Sequence, residues 1–190
     1  MSHRRTFFIG DTHFCHKNIL LFAGAYRPGA TVPEHDEILI HRWNSVVNPE
    51  DKVYHLGDFC FGGWSNIAIA GRLNGRKHLI MGNHDHYPSE EFLKYFDKVD
   101  GAFPYRDGIM THMPVHESQL ERFAFNIHGH LHHFKVMKWI MRQRPRGDYI
   151  DELPEQVPDE RYINVSCEQI NCTPIEESKV VSQFEFINNQ

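Results

Sequence analysis

The sequence predicts an α/β fold, and three observations lead there. Through the first half of the chain, apolar runs of strand length alternate with stretches of helical spacing. From about Val99 the apolar runs follow one another closely, which suits an antiparallel or mixed portion of sheet. At 190 residues, 41% hydrophobic and 24% charged, the length fits one sizeable core. A single domain over 1–190 is therefore expected, with no internal repeat and no linker to divide it.

"RTFFIGD" (5–11) reads as a buried strand ending at Gly10-Asp11, followed by a polar turn and the apolar "NILLFA". In "PEHDEILIHRWNSVV", Ile38, Leu39, Trp43, Val46 and Val47 share one side of a helix. "NPEDKVYHLGD" is a turn and a second strand, "SNIAIAGRL" is helical, and "KHLIMGN" is a third strand. "SEEFLKYF" opens a helix with a serine cap and an acidic first turn. This half is expected to be largely parallel. "GAFPYRD", "GIMTHMP", "FAFNIHGHLH" and "RYINVSCE" are the later strands. Between the last two, a charged and proline-rich stretch of weak periodicity predicts a long excursion loop near 140–160.

Composition narrows the function. The formal charge of −5 and the lack of a basic stripe disfavour a nucleic-acid surface. No apolar run is long enough to span a bilayer or serve as a secretory signal. The four cysteines form no C-x-x-C pair, so a cytoplasmic protein with reduced thiols is expected. The excess is in histidine: 15, against 20 Lys plus Arg. Histidine is both the commonest metal ligand and a frequent acid–base group.

Many of these histidines stand at strand ends beside Asp, Asn and Gly. The segments are Asp11-Thr12-His13, Gly57-Asp58, Gly82-Asn83-His84-Asp85, Thr111-His112 and His128-Gly129-His130-Leu131-His132. In open α/β sheets, ligands bind beyond the carboxyl ends of strands, so these distant segments can converge. Asp11 and His13, like His130 and His132, are two apart and share a side of an extended backbone. Their oxygens and imidazole nitrogens suit Mn, Fe, Zn or Ni. Two divalent ions against two carboxylates leave the pocket about +2 by formal count, an anion trap in an acidic protein.

With these five blocks in order, the chain resembles the calcineurin-like metallophosphoesterases, whose pattern is D-x-H, G-D, G-N-H-D/E, H and G-H-x-H. Here it stands as "GDTH", "LGDF", "GNHD", "TH" and "GHLH". The resemblance implies a four-layer αββα sandwich of two mixed β-sheets flanked by helices. It implies one metal on Asp11, His13, Asp58 and His132, and a second on Asp58, Asn83, His112 and His130. It further implies His84 near the leaving oxygen, held by Asp85, and ester hydrolysis by a metal-bridging hydroxide with His84 as general acid. "GDFCFGG" lacks the aspartate and arginine of the protein-phosphatase branch, which favours a small bacterial or phage-type esterase. "DTHFCHKNI" resembles a subgroup with an extra histidine, His16 here.

The expected partner is a phosphate ester, nucleotides among the candidates, with manganese the first choice of metal and Fe, Zn, Ni or Mg the alternatives. His16, Arg142 and Arg144 are the candidate substrate-binding residues, with Arg146 beside them. A nuclease on DNA or RNA and a non-catalytic protein-interaction module are the alternative functions. His55 is expected as a core histidine with one hydrogen bond, and His86 as a solvent-facing residue. His3, His35, His41, His78, His116 and His133 are expected at the surface. Packing roles are expected for Cys15, Cys60, Phe14, Tyr26 and Trp64, and a structural one for Glu168.

Overall fold

The computed structural model describes residues 4–146 and 149–180, and side chains at all of these except 144–151. Strand β1 (Thr6–Ile9) lies parallel to β2 (Lys52–His55), which lies parallel to β3 (Arg76–Ile80), and β4 (Lys98–Asp100) continues the parallel run. A second sheet contains β5 (Ala102–Tyr105), β6 (Gly108–Thr111) and β7 (Asn126–His128). Its β5–β6 pairing is antiparallel and its β6–β7 pairing parallel. The chain is thus mixed α/β, built on two mixed sheets with helices, as expected.

Period-two alternation splits each strand of the first sheet between two layers. Phe7, Ile9, Val53 and Leu79 pack against helical residues Leu39, Ile40, Trp43, Ile67, Ala70 and Phe92. Phe8, Tyr54 and Ile80 face the other way, onto Met110, Ile127 and Ile163 of the second sheet.

Helix α1 (Ile19–Ala23) is short. The long helix α2 (Val32–Val46) is capped by Thr31, whose side chain accepts the Glu34 amide. Its buried stripe is His35, Asp36, Leu39, Ile40 and Trp43, so Ile40 takes the place expected for Ile38. The segment Trp64–Arg72 is a 3-10 helix. In α3 (Ser89–Phe92) the cap position falls on Pro88 and Ser89 is already helical, so the expected serine cap is absent.

The stretch near 140–160 is not an irregular loop. β8 (Met137–Arg146) and β9 (Tyr149–Pro158) pair antiparallel into a two-stranded ribbon. A continuous backbone ladder pairs the strands, and cross-strand polar contacts such as Gln143 with the directly opposite Glu152, and Arg142 with Glu155, add to it. The chain then enters β10 (Tyr162–Asn164), parallel to β7, and β11 (Ile175–Glu176), antiparallel to β1. No helix among the described residues is long and apolar enough to cross a membrane.

His35 and His78 are buried, contrary to their expected surface placement. His35 meets Asp36, and His78 bonds Asp100 at 2.7 Å beneath Tyr54 and Phe103. His55 is the core histidine expected. The Thr12 hydroxyl donates to Phe59 O, so His55 Nε2 must donate to Thr12 Oγ1, 2.9 Å away. Its Nδ1 is left buried without a partner. Burial lowers its pKa from 6.5 to about 3. The unfolded chain therefore takes up this proton first, and stability present above pH 6.5 is lost as pH falls toward about 3. Between pH 7 and 4.5, His55→Gln should lose about 2–3 kcal/mol less than the wild type in urea unfolding. Identical losses would exclude this role.

Candidate metal centre

Five parallel strands carry the blocks picked out above, and all five end on one side. Asp11 and His13 follow β1, Asp58 follows β2, Asn83 and His84 follow β3, His112 follows β6, and His130 and His132 follow β7. The turn after β1 runs beside the turn after β2: Asp11 N–H donates to Gly57 O, and His13 N–H to Asp58 O. The backbone there is not extended. Of nine non-glycine residues with positive φ among those described, five are Asp11, His13, Asp58, His130 and His132. Left-handed backbone costs a β-carbon residue about 1–3 kcal/mol and gathers at functional sites.

Two clusters result. Asp11, His13 and His132 offer ligand atoms within 4.8 Å of one another, and so do Asp58, His112 and His130. Asp58 Oδ2 joins them, at 3.8 Å from His13 Nε2 and 3.4 Å from His112 Nε2. Asn83 Oδ1 lies 2.9 Å from His112 Nε2, and His130 Nδ1 lies 3.3 Å from it. His13 tests the fit to a cation. It is buried, neither ring nitrogen has a hydrogen-bond partner, and Nε2 stands 3.9 Å from Asp11 Oδ1. The His13 separations, 3.9 Å to Asp11 and 3.8 Å to Asp58, are too long for hydrogen bonds. They match donors about 3–4 Å apart around one ion with bonds of roughly 2.0–2.2 Å.

The protonation states follow from burial and neighbours. Burial raises Asp11 to about 6. Burial also pushes Asp58 up, but the His112 hydrogen bond and the charges of His112 and His13 outweigh it and hold the carboxyl well below its usual range. Burial pulls His112 down, yet Asp58 and Asp11 together lift it to about 9. Its Nδ1 donates to Leu56 O at 2.7 Å, which leaves Nε2 aimed into the site.

The calcineurin-like phosphoesterase family model matches residues 4–173. The chain belongs to the calcineurin-like phosphoesterase family. It is 34% identical to the uncharacterized protein MJ1445 of Methanocaldococcus jannaschii, over 97% of this chain and 94% of that protein. It is 38% identical to the gene 66 protein of Mycobacterium phage L5, over 42% of this chain and 39% of the phage protein. The crystal structure of a protein of unknown function, AQ665, from Aquifex aeolicus is similar, with a TM-score of 0.66 and 26% identity. That likeness covers 95% of this chain and 99% of the Aquifex chain. Calcineurin-like phosphoesterases depend on two metal ions, and the two His/Asp clusters are where this member can hold them.

Two supports around the clusters, Glu168 and Arg27, could not be read from motifs. Glu168 Oε1 accepts from His132 Nδ1 at 2.9 Å, which turns His132 Nε2 toward Asp11. Arg27 bonds the same carboxylate and donates to the carbonyls of Asp11 and Thr12. The expected structural role of Glu168 thus reaches the centre itself. Arg27, a lone arginine before a proline, gave no signal, because its partner Glu168 lies 141 residues away. Gly82 and Gly129 press bare backbone onto the carboxylates: a Cβ on Gly82 would collide with Asp58, and one on Gly129 with Asp11.

Asp85 departs from expectation. Its oxygens accept the amides of Asp58, Phe59 and Gly82 at 2.8, 2.9 and 2.8 Å. None of its described hydrogen bonds goes to the His84 ring, so it ties two turns together and does not orient that imidazole. His84 Nε2 lies 4.0 Å from Asp58 Oδ2 on a side chain 42% exposed. His16 both lines the cleft above the clusters and accepts the Asn18 amide. Arg142 is away from that cleft, paired with Glu155 on the ribbon. The side chains of Arg144 and Arg146 lie outside the described residues. Phe14 is core, whereas Tyr26 and Trp64 are exposed.

Metal and proton compete for these ligands. His112 at about 9 and Asp11 at about 6 must both be deprotonated to bind a cation. Affinity for Mn²⁺ should therefore climb as pH rises from 6 to 9, with proton release near pH 7. Calorimetry in buffers of different ionisation enthalpy measures this; binding without proton release would contradict it.

Proposed function

We propose that this protein is a phosphate-ester hydrolase working with two divalent cations, manganese first among them. One cation is held by Asp11, His13, Asp58 and His132, the other by Asp58, Asn83, His112 and His130. The observation that carries this reading is Asp58 Oδ2, surrounded by imidazole nitrogens of His112, His13 and His84 at 3.4, 3.8 and 4.0 Å. When bound, such a cation pair supplies charge against the phosphoryl oxygens and acidifies a coordinated water.

The residues of the chain have distinct tasks. Asp58 bridges the two positions, with one oxygen also fixed by the His84 amide at 2.9 Å. Asn83 contributes an oxygen without negative charge, so the site keeps its attraction for a phosphate. His84 stands at the open side, its ring 4.8 Å from that of Phe61, and protonates the departing ester oxygen. Free thiols at all four cysteines suit a reducing compartment such as the cytoplasm.

Two measurements test the reading. Chelator-stripped protein restored with Mn, Ni, Zn or Mg should hydrolyse nitrophenyl phosphate, bis-nitrophenyl phosphate or a cyclic nucleotide. Bound metal with no turnover on these or on oligonucleotides would favour a non-catalytic binding role. His84→Ala should keep both metals and lose about 10²–10⁴-fold in kcat on alkyl esters. On nitrophenyl esters, whose leaving group hardly needs a proton, the loss should be smaller. Equal losses would make His84 an electrostatic group instead.

A further inference from the structure

Above the imidazoles lies a cleft of about 480 Å³ whose walls are unlike its floor. His13, His84, His130 and His132 form the floor. The walls are Ile19, Phe22 and Ala23 of α1, Phe61 from the segment after β2, and Leu131 and Phe134 after β7. No Lys, Arg, Asp or Glu lines it. Phe22 is 70% exposed and Phe134 64% exposed. Both rings thus stand largely in water along the lining of a polar site.

The rings are held in place. Phe61 meets His16 edge-on at 4.0 Å and lies 5.3 Å from His13, with Phe22 6.1 Å beyond His16. On the other wall, Phe134 lies 4.0 Å from His133, whose far side stacks on Tyr26 at 4.7 Å and 11°. Each exposed phenylalanine thus has an imidazole neighbour, His16 for Phe22 and His133 for Phe134.

Resting on the proposed hydrolase function, we infer that the substrate is a phosphate ester whose organic group is planar and aromatic and lies close enough to the phosphoryl group to enter this cleft. The phosphoryl group is drawn to the floor, so whatever it carries must rise between these walls. Above the floor, a second phosphate, a carboxylate or an ammonium group would find only the imidazoles of His16 and His133, and no Lys, Arg, Asp or Glu. A flat π-system finds the rings of Phe22, Phe61 and Phe134 in the lining, as stacked bases find aromatic platforms. A nucleobase and a simple aryl group share this chemistry.

Inhibition of the manganese-loaded protein by non-hydrolysable compounds distinguishes the possibilities. Phenylphosphonate should bind about tenfold more tightly than methylphosphonate, within the range of one aromatic stack. In Phe22→Ala and Phe134→Ala, which alter exposed positions on two separate elements, that ratio should fall toward one. The methylenephosphonate analogue of adenosine 5′-monophosphate binding more tightly than that of ribose 5-phosphate would identify a nucleobase as the stacked group. A gap for phenyl alone would identify an aryl group joined directly. Equal affinities within both pairs would overturn the inference while leaving the hydrolase intact. Failure of every phosphonate and of inorganic phosphate to bind would instead count against the hydrolase reading, and this inference would fall with it.

Discussion

Two carboxylates held out of water set the terms for the rest of this molecule. Asp11 and Asp58 are buried, and a buried carboxylate without compensation costs several kcal/mol. Their compensation comes from far along the chain. The His130 amide, 119 residues away, donates to Asp11; the His84 amide, 26 residues away, donates to Asp58. His112, from the second sheet, adds its charge to both. These negative charges are tolerable only once both sheets are in register, so the centre and the fold form one cooperative unit.

The sheet architecture explains why those groups meet. A parallel strand delivers its carboxyl end to the same edge as its neighbour, and β1, β2 and β3 do so side by side. The second sheet adds β6 and β7, also parallel to each other. The isolated pairing of Gly10 with Ser166 joins the two sheets at that edge. Left-handed turns then aim the side chains inward. Their strain persists because hydrogen bonds from Asp11, His13 and Phe14 to the turn after β2 leave the backbone no alternative.

Much of this was legible in the residues. Apolar runs ending in Gly-Asp or Gly-Asn marked β1, β2 and β3, and the recurring Asp, Asn and His marked the convergence. What stayed hidden depends on distant partners. Arg27 and Glu168 matter because they meet each other, and neither sits in a recognisable pattern. The short spacing of Asp11 and His13 suggested extended backbone, but left-handed turns reach the same convergence, and only atomic positions separate the two. The role of Asp85 was misjudged for a related reason: adjacency to His84 in sequence says nothing about three amides that converge on its carboxylate. The ribbon is harder to read, because the prolines and charged residues of 141–161 blur the alternation that its backbone ladder follows.

That ribbon hangs outside the core, with none of its described side chains buried. Its base is closed by the Asp159 amide donating to Val136 O at 2.9 Å, so the chain departs and returns at a single point. β7 and β10 then pair as though nothing came between them. Loop-closure entropy changes only slowly with length, so descendants of this chain can lengthen, trim or replace the arm at little thermodynamic penalty. Evolution thereby has a graft site where the surface can change while the metal centre stays untouched.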